Sequence, residues 1–163
     1  MNSETPKECK LTYEHDDLFK HLDRKNTIAI AHICNDVKKW GAGFVIPLGR
    51  KFPSAKAKFL EHDISLGRTQ LVGVQKDPTI YVANMYGQHN VGYDEHGNPP
   101  IRYSALTTAM QELSGLIEFY PDMEILAPKF GAGLAGGNWD FIEILIKEIW
   151  IGNGIPVTIY VYP

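Results

Sequence analysis

Two glycine clusters, each lying where a short apolar run gives way to an amphipathic one, constrain this chain more than any other feature. The first follows Thr27–Ile33, a run rich in Ile and Ala, and reads Cys34-Asn35-Asp36-Val37-Lys38-Lys39-Trp40-Gly41-Ala42-Gly43-Phe44. The second follows Met123–Ala127 and reads Pro128-Lys129-Phe130-Gly131-Ala132-Gly133-Leu134-Ala135-Gly136-Gly137-Asn138-Trp139. Glycine serves where the backbone takes positive φ or where another group must come close to the main chain. Short apolar runs suit strands buried on both faces, and a strand-loop-helix unit used twice implies parallel strands with helices covering the sheet.

The rest of the chain fits that frame. Lys10–Tyr13 predicts a short strand, followed by a polar stretch, Glu14–Asn26. Phe44–Arg50 predicts a short helix with Pro47 in or near its first turn, and Ser54 is positioned to cap a helix running to about His62. Thr69–Gln75 and Thr79–Met85, joined by Lys76-Asp77-Pro78, predict a hairpin. Tyr86–Pro100 reads as a long loop. Tyr103–Tyr120 carries Leu106, Ala109, Met110, Leu113, Leu116 and Ile117 at helical spacing. Asn138 is placed to cap a helix over Trp139–Trp150, with Ile142, Leu145, Ile146 and Ile149 inward, and Ile155–Tyr162 predicts a last strand. The expected fold is α/β, a three-layer α/β/α arrangement on a mixed, largely parallel sheet. No repeat, linker or composition shift divides residues 1–163, so one domain is expected.

Composition excludes several function classes. The 163 residues carry a net charge of −3 and are 44% hydrophobic and 21% charged, which fits a compact soluble domain and gives no global attraction to nucleic acid or membranes. No run approaches the roughly 18 apolar residues of a membrane span. Met1–Lys10 is polar and lacks a signal-peptide core, so a cytoplasmic protein is expected; a monomer is the expected state. Cys9 and Cys34 form no metal-ligand spacing and read as thiols.

Each glycine loop can aim bare N–H groups and a helix start at an anion, and two such loops facing each other suggest a diphosphate clamp. Either loop alone could equally be a tight turn that needs glycine for its backbone angles. A dinucleotide fingerprint fails, because Gly41-Ala42-Gly43-Phe44-Val45-Ile46 lacks the third glycine, and no Gly-Lys-Ser/Thr P-loop occurs. Lys38, Lys39, Arg50, Lys51, Lys56 and Lys58 surround the first loop; most read as a solvated face.

Ile30–Asp36, Trp40–Phe44, Val82–His89 and Pro128–Trp139 together resemble the macrodomain family, in the branch of terminal ADP-ribose protein glycohydrolase, the DNA-ADP-ribosyl hydrolase antitoxins and stand-alone bacterial and phage macrodomains. The resemblance implies a six-stranded mixed sheet with an ADP-ribose cleft at its top. It also implies adenine contacts at Asp17 and Leu18, with Asp16 replacing the usual glycine, and an aromatic near adenine at Tyr160. The distal ribose and diphosphate would meet Asn35, Trp40, Gly41, Ala42, Gly43, Phe44, Asn84 and Gln88 on one side. On the other side lie Phe130, Gly131, Ala132, Gly133, Leu134, Ala135 and Gly136.

One departure matters. The lysine nucleophile and the aspartate acid/base of the glycohydrolase-like members correspond to Met85 and Ala135, which can do neither job. The expected activity is therefore hydrolysis of an ADP-ribosyl linkage by substrate positioning and an activated water, with Asn35, Gln88 and His89 as candidate catalytic residues. The acceptor would be a protein carboxylate or a thymidine base of DNA. A non-catalytic ADP-ribose reader and an ADP-ribose 1''-phosphate phosphatase are the alternatives. His32 reads as a hydrogen-bonded core histidine, Glu61-His62-Asp63 as the solvated end of a helix, and Cys34 as packing. No metal or cofactor is expected.

Overall fold

A computed structural model describes residues 9–163; the first eight residues of the polar Met1–Lys10 stretch lie outside the described residues. Six strands form one sheet: β1 Leu11–Glu14, β2 Ile28–Asn35, β3 Thr69–Lys76, β4 Thr79–Gln88, β5 Glu124–Ala127 and β6 Val157–Tyr160. Their order is β1-β6-β5-β2-β4-β3, parallel throughout except for the β3–β4 hairpin. The helices are α1 Val45–Lys51, α2 Pro53–Glu61, α3 Tyr103–Ile117 and α4 Trp139–Leu145.

Alternation along the strands explains the three layers. On β2, Ile28, Ile30 and Cys34 point into one core with Leu48, Ala55, Phe59 and Trp40, beneath α1 and α2. Ala29 and Ala31 point into the other with Leu106, Met110, Leu113, Ile142 and Trp150, beneath α3 and α4. Burying a Leu or Phe side chain is worth roughly 1.5–3 kcal/mol, so both helical layers are held chiefly by these contacts. No helix of the described residues is long and apolar enough to cross a membrane.

Four expectations shift. β4 continues to Gln88 instead of stopping at Met85, because Tyr86 enters the core beneath α2 and Gln88 pairs with Asn35. Ser54 does not cap α2: Pro53 occupies the first turn, where its fixed φ and missing N–H fit, and Phe52 precedes it without a side-chain cap bond. The predicted helix to Trp150 changes to a π-helical segment over Ile146–Trp150, where the buried Trp150 indole donates to Met110 O at 3.0 Å. The polar stretch 14–26 contains a 3₁₀ turn, Leu18–Lys20, whose Leu18 joins the core. Asn138 caps α4 as its chemistry suggests, accepting from the Phe141 amide.

Candidate functional site

Both glycine loops leave the same edge of the sheet from neighbouring strands, the first from β2 and the second from β5. A register shift at Cys34/Asn35 sets Asn35 beside Gln88 at the carboxyl ends of β2 and β4. The Asn35 carboxamide folds back on its own loop: Oδ1 accepts from the Val37 and Lys39 amides at 3.1 and 3.0 Å, and Nδ2 donates to Lys39 O at 2.8 Å. This side chain, expected to act on substrate, lines the cleft and at the same time holds the turn that carries Trp40 and Gly41. Gln88 Nε2 donates to Asn90 O at 3.0 Å, and among the described residues nothing hydrogen-bonds its Oε1.

Two cavities meet along this edge. One, of about 550 Å³, is lined by Asn35, Gln88, Lys39 to Val45, Phe130, Gly131, Gly133 to Ala135 and the Val91-Gly92 start of the following loop. The other, of about 490 Å³, is lined mainly by apolar groups from Asp16 to Phe19, by Pro47 and by Tyr160 to Tyr162. Gly43, Phe44, Pro128 and Lys129 line both, so the two are halves of one cleft. Sheet order sets its direction: β1 and β6 supply the apolar end, β5 the middle, β2 and β4 the polar end.

The glycines of the second loop divide into two kinds. A Cβ on Gly137 would lie 2.5 Å from the carbonyl oxygen of Gly131, so that glycine is demanded by the loop's own packing. A Cβ on Gly133 would meet nothing within 4 Å, and the same is true of Gly41 across the cleft. Neither has positive φ. Both line the polar half of the cleft, where small size leaves room for a bound group.

At the apolar end Asp17 accepts from the Phe19 amide at 3.0 Å and so caps the 3₁₀ turn. That turn presents Phe19, which stacks on Phe44 with ring centroids 5.5 Å apart and an interplanar angle of 20°. Tyr160 is fixed from behind: its hydroxyl accepts from Arg24 at 2.6 Å, and Arg24 also pairs with the buried Glu124 at 3.2 Å. Burial raises the Tyr160 phenol above its ordinary range, against the pull of Arg24. Tyr160 is held rigidly with only 3% of its surface exposed. Phe19 and Lys129 line the cleft without having stood out in the sequence, Phe19 because it lies in a stretch dominated by charges.

Four of the expected residues do not line the cleft: Asn84, Ala132, Gly136 and His89. Asn84 is fully buried, its Oδ1 2.5 Å from His32 Nε2 and its Nδ2 donating to Gln70 at 3.0 Å, because β4 turns that residue toward the α2 side of the sheet. Burial pushes the His32 imidazole down to about 4, against the Asn84 bond that favours its charged form. His89 lies on the rim with its Nδ1 2.6 Å from Asp36 Oδ2. Asp36 also accepts from the Asn90 amide at 2.7 Å. Burial works to raise the Asp36 carboxyl, but these two bonds outweigh it and hold it below the usual carboxylate range. Asp36 and His89 thus pin the start of the 89–100 loop to the first glycine loop. Met85 and Ala135 are both buried and bring no ionisable group to the cleft. Burial raises the Cys34 thiol, in keeping with a packing role.

No protein-family model matches this chain. Among solved structures, a Bacteroides thetaiotaomicron protein of unknown function is 34% identical, covering 93% of this chain and 98% of its own, at a TM-score of 0.86. A macrodomain protein from Streptomyces coelicolor is 33% identical, with coverage of 93% and 98% and a TM-score of 0.77. The chain belongs to the macrodomain family. Among curated proteins, this macrodomain is 27% identical over 177 residues to an ADP-ribose 1''-phosphate phosphatase of Meyerozyma guilliermondii, covering 93% of this chain and 98% of the relative. The sheet of this macrodomain carries its cleft where an open α/β sheet places ligands, beyond the carboxyl ends of the strands.

Proposed function

We propose that this macrodomain binds ADP-ribose along the cleft and hydrolyses the bond at the anomeric carbon of the distal ribose: water adds at that carbon, giving free ADP-ribose and the unmodified acceptor, a protein carboxylate or a thymidine base of DNA. The observation that carries the reading is the continuity of the two half-cavities through Gly43, Phe44, Pro128 and Lys129. Together they offer an apolar end, a waist of main chain and glycine, and a polar end. Adenine would occupy the apolar end between the Phe44 side and Tyr160, with Asp17 beside it. The diphosphate would cross the waist, and the distal ribose would rest against Gly41, Gly133 and Gln88. Cleavage there passes through cation-like character, so orientation plus one acceptor to direct water supplies much of the rate. Gln88 Oε1 is that acceptor, while Asn35 shapes the loop and His89 braces the rim.

A second reading, phosphate release from ADP-ribose 1''-phosphate, is favoured by the yeast relative, whose name states that activity. One panel separates them: the purified chain incubated with Glu-, Ser-, Arg- and thymidine-linked ADP-ribose and with ADP-ribose 1''-phosphate. Release of ADP-ribose from the Glu or thymidine linkage supports the hydrolase. Phosphate release alone selects the phosphatase. Binding of ADP-ribose with no turnover of any substrate makes the protein a reader, and absence of binding overturns the proposal.

A further inference from the structure

The waist of the cleft carries one feature that glycine loops alone do not explain. Lys129 follows β5, is exposed, and lines both halves of the cleft. The other lysine in the lining, Lys39, belongs to the polar half only, and the carboxylates Asp16 and Asp17 belong to the apolar half only. The cation at the junction is therefore Lys129, where a ligand spanning both halves would put its connecting group.

The ammonium is parked. Lys129 Nζ lies 5.8 Å from the centroid of the Trp139 ring. That ring is fixed on two sides: its indole N–H donates to the Tyr13 hydroxyl at 2.9 Å, and Phe130 meets it edge-on at 5.9 Å. The Tyr13 hydroxyl in turn donates to Glu143. The Tyr13 bond chiefly, with Lys147 and Lys129 adding to it, holds the Glu143 carboxyl below its usual range. An exposed cation over an indole is a weak attachment, and a doubly charged diphosphate is a stronger attractor for the same ammonium.

We propose that Lys129 is a charge clamp for the diphosphate: on ligand binding it leaves the face of Trp139 and pairs with the phosphate oxygens at the waist. The inference rests on the ADP-ribose reading and adds to it a side-chain cation where the glycine loops offer only amides. Trp139, held in turn by Tyr13 and Phe130, gives the ammonium a resting place, so less rotamer freedom is lost on binding than for a lysine in open solvent.

Titration calorimetry of the full chain with ADP-ribose and with adenosine, at low and high salt, tests this. Lys129→Gln is expected to weaken ADP-ribose binding about tenfold, about 1.4 kcal/mol. It should also flatten the dependence of affinity on salt and leave adenosine affinity within about twofold of the wild type. Unchanged ADP-ribose affinity and salt dependence in Lys129→Gln overturn the clamp, as does an equal loss for adenosine and ADP-ribose. A wild-type chain that binds no ADP-ribose removes the functional reading itself, an outcome distinct from a wild type that binds and a Lys129→Gln variant that binds as well.

Discussion

Three polar side chains at the ends of β2 and β4 divide their labour by their hydrogen bonds. Asn35 makes three bonds to its own loop, His89 is tied to Asp36, and Gln88 keeps an acceptor at the polar end of the cleft. Gln88→Ala should therefore lower turnover by about 10²-fold or more while changing ADP-ribose affinity by less than about threefold. Asn35→Ala should instead weaken binding and lower stability together, by about 1–3 kcal/mol, because the Val37 and Lys39 groups lose their partner. Parallel kinetics, calorimetry and denaturant unfolding of the two variants check the contrast. His32 makes a separate prediction. Its pKa of about 4 lies below the ordinary 6.5, so the unfolded chain binds the extra proton first. Stability should thus rise with pH between about 4 and 6.5, by about 3 kcal/mol across the window, before carboxylates contribute below it. Unfolding curves at pH 4.5 and 7 should show this slope in the wild type and its loss in His32→Gln.

At the scale of elements, the second glycine loop is where sequence and packing are most tightly coupled. The Gly137 amide donates to Gly131 O at 2.7 Å, and an added Cβ would fall 2.5 Å from that same oxygen. Backbone cannot yield there as a side-chain tip could. Gly137→Ala should cost about 3 kcal/mol and lower Tm by about 10 °C in thermal unfolding, whereas Gly133→Ala should leave Tm within about 2 °C. The elements themselves were largely readable: α3 from its helical spacing, β2 and β5 from apolar runs, and the Asn138 cap from its chemistry. What was not readable was set by tertiary context. β4 runs on to Gln88 because a neighbouring strand offers a partner at Asn35, a fact no local pattern contains. The Phe19 turn was hidden in a charged stretch because a single aromatic in it has no periodicity to reveal it.

For the whole molecule, the sequence located both walls of the cleft but not how they join. The glycine loops stand out by composition. Their meeting, the sharing of Gly43, Phe44, Pro128 and Lys129 by two half-cavities, depends on sheet order, since only the placement of β6 and β1 beyond β5 sets the apolar end in line with the polar one. Most residues quoted for the motif resemblance line the cleft, whereas Asn84, one residue before Met85 on β4, sends its side chain into a buried bond with His32. The central claim is that the open space above Gly133, in the polar half of the cleft, is the seat of the distal ribose of a bound ADP-ribose. Calorimetric titration of ADP-ribose into the wild type and into Gly133→Glu tests it most directly, because a Cβ at this position meets no protein atom within 4 Å and the side chain starts in the open space of the cleft. The account predicts one-to-one binding by the wild type and none by Gly133→Glu at an unchanged Tm; equal affinity for the two proteins would contradict it.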